Sequence, residues 1–213
     1  MGAGADVKHT RASVHASAPC HLPFTILTLE FFLMRLMTAS LLAGLCSAGP
    51  ALASLAPGAK APDFSTPATL GGHEFSFHLA DALKKGPVVL YFYPAAFTSG
   101  CTTEAHEFAE AVPQFAALHA TVIGVSMDGI AKLDKFSVSE CRSKFPVASD
   151  KSGSISHDYD AVLSGMLGYA SRTSYVIAPD GHVIYAYNAL NPEGHVGNTL
   201  KAVGDWDKTH PAP

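Results

Sequence analysis

Residues 87–93, PVVLYFY, are apolar at every position, so neither alternating face of a strand built from them is polar. A run of that length and composition reads as a buried strand, and a sheet covered on both sides is what accommodates it. The chain must therefore build layers around this strand. Directly after it comes PAAFTSGCTTE, residues 94–104, and then a helical pattern over residues 98–120. In that helix Phe108, Phe115, Ala116 and Leu118 are predicted to face the core, and Pro113 is expected to kink or break it. Cys101 thus falls where a strand gives way to the first turn of a helix. Unpaired backbone N–H groups and the positive end of the helix dipole meet there. Both favour a thiolate, the nucleophilic form of cysteine.

The remaining pattern supplies the layers. Residues 54–67 carry three prolines and read as an extended arm, and Gly71-Gly72 turns a hairpin within residues 68–77. A short helix over 78–85, with Leu79 and Leu83 on one side, stops at Gly86. A second buried strand covers 121–127, followed by a helix over 130–142 with Leu133 and Phe136 inward. A short strand at 145–149 and a helical turn at 155–161 with Tyr159 come next. Strand 173–178 then turns through Pro179-Asp180-Gly181 into a returning strand at 182–187. A closing helix over 194–206 carries Val196, Leu200 and Val203. Strands interleaved with helices and ended by a hairpin and a helix predict an α/β sandwich, a central mixed β-sheet flanked by helices.

Pro94, Thr98 and Cys101 reproduce the spacing Pro-x-x-x-Thr/Ser-x-x-Cys, and this resembles the active-site pattern of the peroxiredoxin family. The continuation CTTEA, residues 101–105, is similar to the bacterioferritin-comigratory (PrxQ) branch of the alkyl hydroperoxide reductase and thiol-specific antioxidant group. The resemblance runs from about residue 57 to 203. It implies a thioredoxin-like fold and a thiol-dependent peroxidase acting on hydrogen peroxide and organic hydroperoxides. It implies no metal, haem or flavin, because the cysteine carries the oxidation to sulfenic acid. Donors aligned on the sulfur and the peroxide oxygens would stabilise the transition state. The candidates are the Thr98 hydroxyl, the N–H groups of Gly100 and Cys101, and Arg172, which stands ahead of strand TSYVIA like the family's active-site arginine. Arg172 would lower the thiol's pKa and orient Thr98 and peroxide. Pro94 would shield the thiolate from water, and Glu104 would support the site from behind.

Resolution of the sulfenic acid is less directly written. Branch members with a resolving cysteine five residues after the peroxidatic one have no counterpart here, because that position is His106. Cys141, 40 residues downstream and near the end of the helix after the second strand, is the expected resolving thiol. Other branch members resolve from the middle of that helix, near Ser137 by the Phe145-Pro146 motif. The helices bearing the two cysteines are expected on different edges of the strand pair, so disulfide formation would require the first turn around Cys101 to open. The alternative is a one-cysteine enzyme recycled by an external thiol. An exported thiol–disulfide oxidoreductase is disfavoured by the lack of C-x-x-C, and a catalytically dead binding module by the intact Pro94, Thr98, Cys101 and Arg172 set. The reductant is expected to be thioredoxin-like or another thiol. His106, His119, His157, His182 and His195 show no ligand spacing and are expected at the surface or satisfied internally.

Residues 1–53 read as a leader. Residues 34–53 combine a positive start at Met34-Arg35, an apolar stretch and the small-x-small end Ala51-Leu52-Ala53, the pattern of a secretory signal peptide. Residues 1–33 are expected to be a mis-called extension, and residues 54–213 the peroxiredoxin domain. Retention of the segment as a membrane anchor is the alternative, at the expense of burying Glu30 and Arg35. After cleavage the chain keeps Cys101 and Cys141, with 11 Lys/Arg against 16 Asp/Glu and a net charge of −5. That balance, without a basic cluster, argues against nucleic-acid binding. Export, in a bacterium to the periplasm, would place the two thiols where disulfides form. The lack of a long C-terminal arm after Trp206 suits a monomer or weak dimer that is not embedded in a membrane. N-terminal sequencing of the exported protein is expected to begin at Ser54, and a start at Met34 would contradict cleavage.

Overall fold

The computed structural model describes residues 54–166 and 168–210. The leader and its signal peptide lie outside the described residues. A hairpin of β1 (Ser65–Leu70) and β2 (His73–His78) opens the domain. The short helix α1 (Leu79–Leu83) leads to β3 (Val88–Phe92), the buried strand foreseen from its composition. Helix α2 (Ser99–Ala117) follows, then β4 (Thr121–Ser126), α3 (Ile130–Ser139), β5 (Val147–Ser149) and α4 (Ser154–Asp158). The chain closes with β6 (Thr173–Ile177), β7 (Val183–Asn188) and α5 (His195–Thr209).

The strands form one seven-stranded sheet in the order β2-β1-β5-β4-β3-β6-β7. The pairs β3–β4 and β4–β5 are parallel and the others antiparallel, so the sheet is mixed as expected. Alternation along β3 divides the core. Val88, Leu90 and Phe92 join Leu79, Leu83, Tyr159 and Tyr175 on one face. Val89, Tyr91 and Tyr93 join Phe108, Phe115, Leu133, Phe136 and Val203 on the other. Each fully buried aromatic or leucine in these layers contributes about 1.5–3 kcal/mol.

Three expectations need correction. Helix α2 continues through Pro113. The proline forgoes only the bond its missing N–H would make to Ala109, and Phe108, Ala111 and Phe115, buried on both sides of it, keep the helix from breaking there. Ala116 points to solvent, because the spacing that buries Phe108 and Phe115 turns residue 116 outward. Helix α3 stops at Ser139, and Cys141 lies beyond it rather than in its last turn. Arg142 and Ser143 have φ of 51° and 53°, a left-handed turn that no helix continues through.

Gly86 shows what admits the central strand. Its φ is +146°, and a Cβ there would stand 2.1 Å from the His119 carbonyl oxygen. This close approach lets the loop before β3 pass under the loop before β4. Gly86→Ala is expected to lower stability by at least about 1–3 kcal/mol, the cost of a residue forced into a sparsely populated backbone conformation. An unchanged denaturation midpoint would contradict this packing.

Candidate active site

Cys101 is carried to the end of the sheet by register. Phe92 pairs with Thr173 across the antiparallel β3–β6 ladder, so Arg172 enters β6 beside the point where β3 releases the chain toward Cys101. The connecting loop is pinned from β4: the Ala96 N–H donates to Asp128 Oδ2 at 2.7 Å, and the Ser126 hydroxyl donates to the same oxygen at 3.1 Å. Phe97 turns the loop with φ of 68° and lays its ring edge-on to Phe136, centroids 5.3 Å apart. Thr98 is the residue before the helix, in extended backbone. Its hydroxyl donates to the Ala95 carbonyl at 2.9 Å, so it closes the turn on itself instead of capping the helix. Pro94 is half-buried at the start of the same loop.

Cys101 sits in the first turn of α2 with 1% of its surface exposed. Arg172 Nη2 donates to its sulfur at 3.4 Å. The same guanidinium donates through Nη1 to Glu104 Oε2 and through Nε to the Leu190 carbonyl at 2.8 Å. Gly100 makes room for this: a Cβ there would lie 3.1 Å from Arg172 Nη2. Glu104 is fully buried one turn beyond Cys101, and His195 at the start of α5 is fully buried beside it. Burial pushes the Glu104 carboxyl up to about 8, against the lowering effect of Arg172. Burial opposes the charge on Arg172, but Glu104 and Cys101 outweigh it and hold the guanidinium above its ordinary value.

Cys141 lines the same buried layer as Cys101, so the two thiols occupy one face of the sheet. Tyr91 and Tyr93 belong to the same layer, and burial drives their phenols well up. Cys141 is fully buried, and burial together with the Glu140 carboxylate pushes its thiol far up. Its neighbours fasten the turn to α2. Glu140 meets His106 Nε2 at 2.9 Å, and Arg142 donates to Glu110 at 3.1 Å. His106, at the position where branch relatives with a nearby resolving thiol carry cysteine, thus holds the Cys141 turn in place.

The sequence pattern therefore identified Cys101, Gly100, Glu104 and Arg172, which the fold brings together. It did not identify Asp128 or His195. Neither lies in a motif, and each reaches the site only through tertiary placement.

The AhpC/TSA family pattern matches residues 57–186. The chain belongs to the AhpC/TSA family. It is 31% identical over 121 residues to peroxiredoxin Bcp of Xanthomonas campestris, covering 54% of this chain and 75% of that one. It is 38% identical over 122 residues to chloroplastic peroxiredoxin Q of Triticum aestivum, covering 56% and 55% respectively. Among solved structures it resembles peroxidoxin BcpB from Mycobacterium tuberculosis, with a TM-score of 0.64 and 31% identity, covering 70% of this chain and 96% of that one. The fold is thus the thioredoxin-like one of the peroxiredoxins, in the Bcp/PrxQ branch, and the chain is a thiol-dependent peroxidase of that family.

Glu104 links this site to stability. Its carboxyl has an ordinary value of 4.5 and stands at about 8 in the folded protein, so the folded state binds its proton more tightly than the unfolded state does. The stability this contributes is complete below pH 4.5 and is lost as pH rises through about 8. Denaturant titrations across that window are expected to show the wild type losing more stability with rising pH than Glu104→Gln. Parallel curves would contradict the shift.

Proposed function

We propose that Cys101 is the peroxidatic residue. Its sulfur attacks one oxygen of hydrogen peroxide or an organic hydroperoxide, forming a sulfur–oxygen bond as the oxygen–oxygen bond breaks. The products are Cys101 sulfenic acid and water or an alcohol. The observation that carries this reading is the Arg172 guanidinium 3.4 Å from Cys101 Sγ while Glu104 and Leu190 hold it from behind. Such a fixed cation stabilises charge spread over sulfur and the peroxide oxygens without reorganising during the step. The first-turn N–H groups at Gly100 and Cys101 add donors on the same side. Thr98 would reach the peroxide by releasing the Ala95 carbonyl, and Pro94 would limit water.

Cys141 is the proposed resolving thiol, condensing with the sulfenic acid to a disulfide and releasing water. Its place in the same layer as Cys101 supports this. Local opening of the first turn of α2 and of the Cys141 turn must accompany it, since both thiols are buried. A one-cysteine cycle is the second reading, favoured by the complete burial of Cys141 and the resulting suppression of its thiolate. In either cycle a thioredoxin-like or other thiol reductant restores the enzyme. The signal-peptide pattern of residues 34–53 supports export, to the periplasm in a bacterium.

Intact mass and peptide mapping of the protein from Ser54 onward, after one equivalent of hydrogen peroxide, test this. The expected result is loss of two hydrogens with a Cys101–Cys141 linked peptide, and gain of one oxygen at Cys101 in Cys141→Ser. Gain of one oxygen in the wild type, unaltered by Cys141→Ser, would establish the one-cysteine cycle. No change in mass would overturn Cys101 as the peroxidatic residue.

A further inference from the structure

Cys141 sits in a strained turn that two side-chain pairs tie to α2. Arg142 and Ser143, the two residues after it, both have positive φ, 51° and 53°. Residues with side chains occupy that region at a cost, and two in succession are uncommon. Backbone bonds keep the turn shut. The Cys141 N–H donates to the Phe136 carbonyl at 3.0 Å, the Ser143 N–H to the Ser137 carbonyl at 2.9 Å, and the Lys144 N–H to the Cys141 carbonyl at 2.9 Å. Side chains then fasten the turn from outside: His106 Nε2 donates to Glu140 Oε2 at 2.9 Å, and Arg142 Nη1 donates to Glu110 Oε1 at 3.1 Å. His106 and Glu110 are four residues apart on α2, so they share one face of it. Glu140 and Arg142 flank Cys141 in sequence, so the backbone of the thiol is gripped on both sides.

We propose that these two pairs form a clasp whose opening sets the rate at which Cys141 condenses with the Cys101 sulfenic acid. The inference rests on Cys141 being the resolving thiol. Helix geometry supplies the reason. At a rise of about 1.5 Å per residue, His106 and Glu110 lie about 7.5 Å and about 13.5 Å along α2 from Cys101. A disulfide needs its two Cα atoms within about 7 Å. The turn has to move toward the first turn of α2, and the clasp opposes that travel. The left-handed pair acts the other way, because release lets Arg142 and Ser143 relax to ordinary backbone angles. In the condensation the sulfur–sulfur bond forms as the sulfenic sulfur–oxygen bond breaks. The Cys141 sulfur is oxidised, the Cys101 sulfur is reduced, and the Cys141 proton leaves with the hydroxyl as water.

The two pairs do not count equally. Arg142 and Glu110 are exposed, and an ion pair in water contributes little. His106 and Glu140 are half-buried, so less of their attraction is screened. His106 is the main positioning residue of the clasp. The β1–β2 hairpin also packs on the turn: a Cβ on Gly71 would lie 3.1 Å from Ser143 Oγ, and the Gly71 N–H donates to Ser137 Oγ at 2.7 Å. The bonds that hold Arg172 on Cys101 run to Glu104 and Leu190 and involve neither pair of the clasp. Loosening the clasp therefore leaves the attack on peroxide alone.

Single-turnover mixing with one equivalent of hydrogen peroxide, quenched at intervals and read by mass, follows oxidation of Cys101 and formation of the Cys101–Cys141 linkage separately. In His106→Ala the linkage is expected to form about 3- to 10-fold faster, the factor that one net hydrogen bond represents, with the rate of Cys101 oxidation unchanged. Glu140→Ala is expected to give the same gain, and the double variant no more than either alone, because all three remove one contact. His106→Gln, which keeps a donor for Glu140, is expected to return the rate toward that of the wild type. Gly86→Ala, destabilised at the opposite end of β3 from Cys101, is expected to leave it unchanged. A linkage rate unaltered in His106→Ala, or raised as much by Gly86→Ala, would overturn the clasp and leave Cys141 as the resolving thiol. Sulfenic acid with no linkage in any variant would overturn Cys141 and the clasp together and leave Cys101 as the peroxidatic residue. No oxidation of Cys101 would overturn all three.

Discussion

The guanidinium of Arg172 is enclosed by three acceptors from two separate segments: the Glu104 carboxyl and the Cys101 sulfur of α2, and the Leu190 carbonyl after β7. A buried cation left without partners is destabilising by several kcal/mol, so these contacts hold one another in place. The enclosure also fixes the direction of the guanidinium. Its Nη2 edge is the part left for the thiol and for whatever approaches it. The energy that keeps Arg172 buried and the geometry by which, in the proposed mechanism, it would activate Cys101 come from the same set of bonds.

The sheet makes this enclosure possible. Antiparallel pairing of β3 with β6 brings the exit of one strand beside the entry of the other. Cys101 and Arg172 therefore meet although they are 71 residues apart. Packing of α2 against α5 brings Glu104 and His195 together in the same way. The loop between β3 and α2 is short and pinned by Asp128, which limits where the first turn of α2 can begin. Function here is a property of strand ends, and the core on both faces of β3 sets where those ends lie.

Much of this could be read from sequence because its signals are local. The run 87–93 announced a central strand, Gly71-Gly72 and Pro179-Asp180-Gly181 announced turns, and the spacing of Pro94, Thr98 and Cys101 announced a thiol at a helix start. Errors arose where tertiary contacts outweighed local preference. Pro113 does not break α2, because core contacts on both sides of it keep the helix continuous. The left-handed turn at Arg142 and Ser143 ends α3 early, and two side-chain contacts to α2, His106 with Glu140 and Arg142 with Glu110, fasten it there with no short-range pattern to encode them. Thr98 carries the expected hydroxyl, but that hydroxyl is satisfied by Ala95. His195 could not be singled out, because a histidine at the start of a helix looks the same whether it faces water or a buried carboxylate.

In the proposed mechanism Arg172 is the cation that would make Cys101 reactive. Stopped-flow measurement of thiol loss on mixing with hydrogen peroxide tests it most directly, comparing the wild type with Arg172→Met/Glu104→Gln. Neutralising both partners avoids leaving a buried charge unpaired. The predicted result is a fall of about 100- to 1,000-fold in the second-order rate constant, the loss expected when one preorganised donor is removed. A rate constant equal to that of the wild type, in a variant that remains folded, would contradict it.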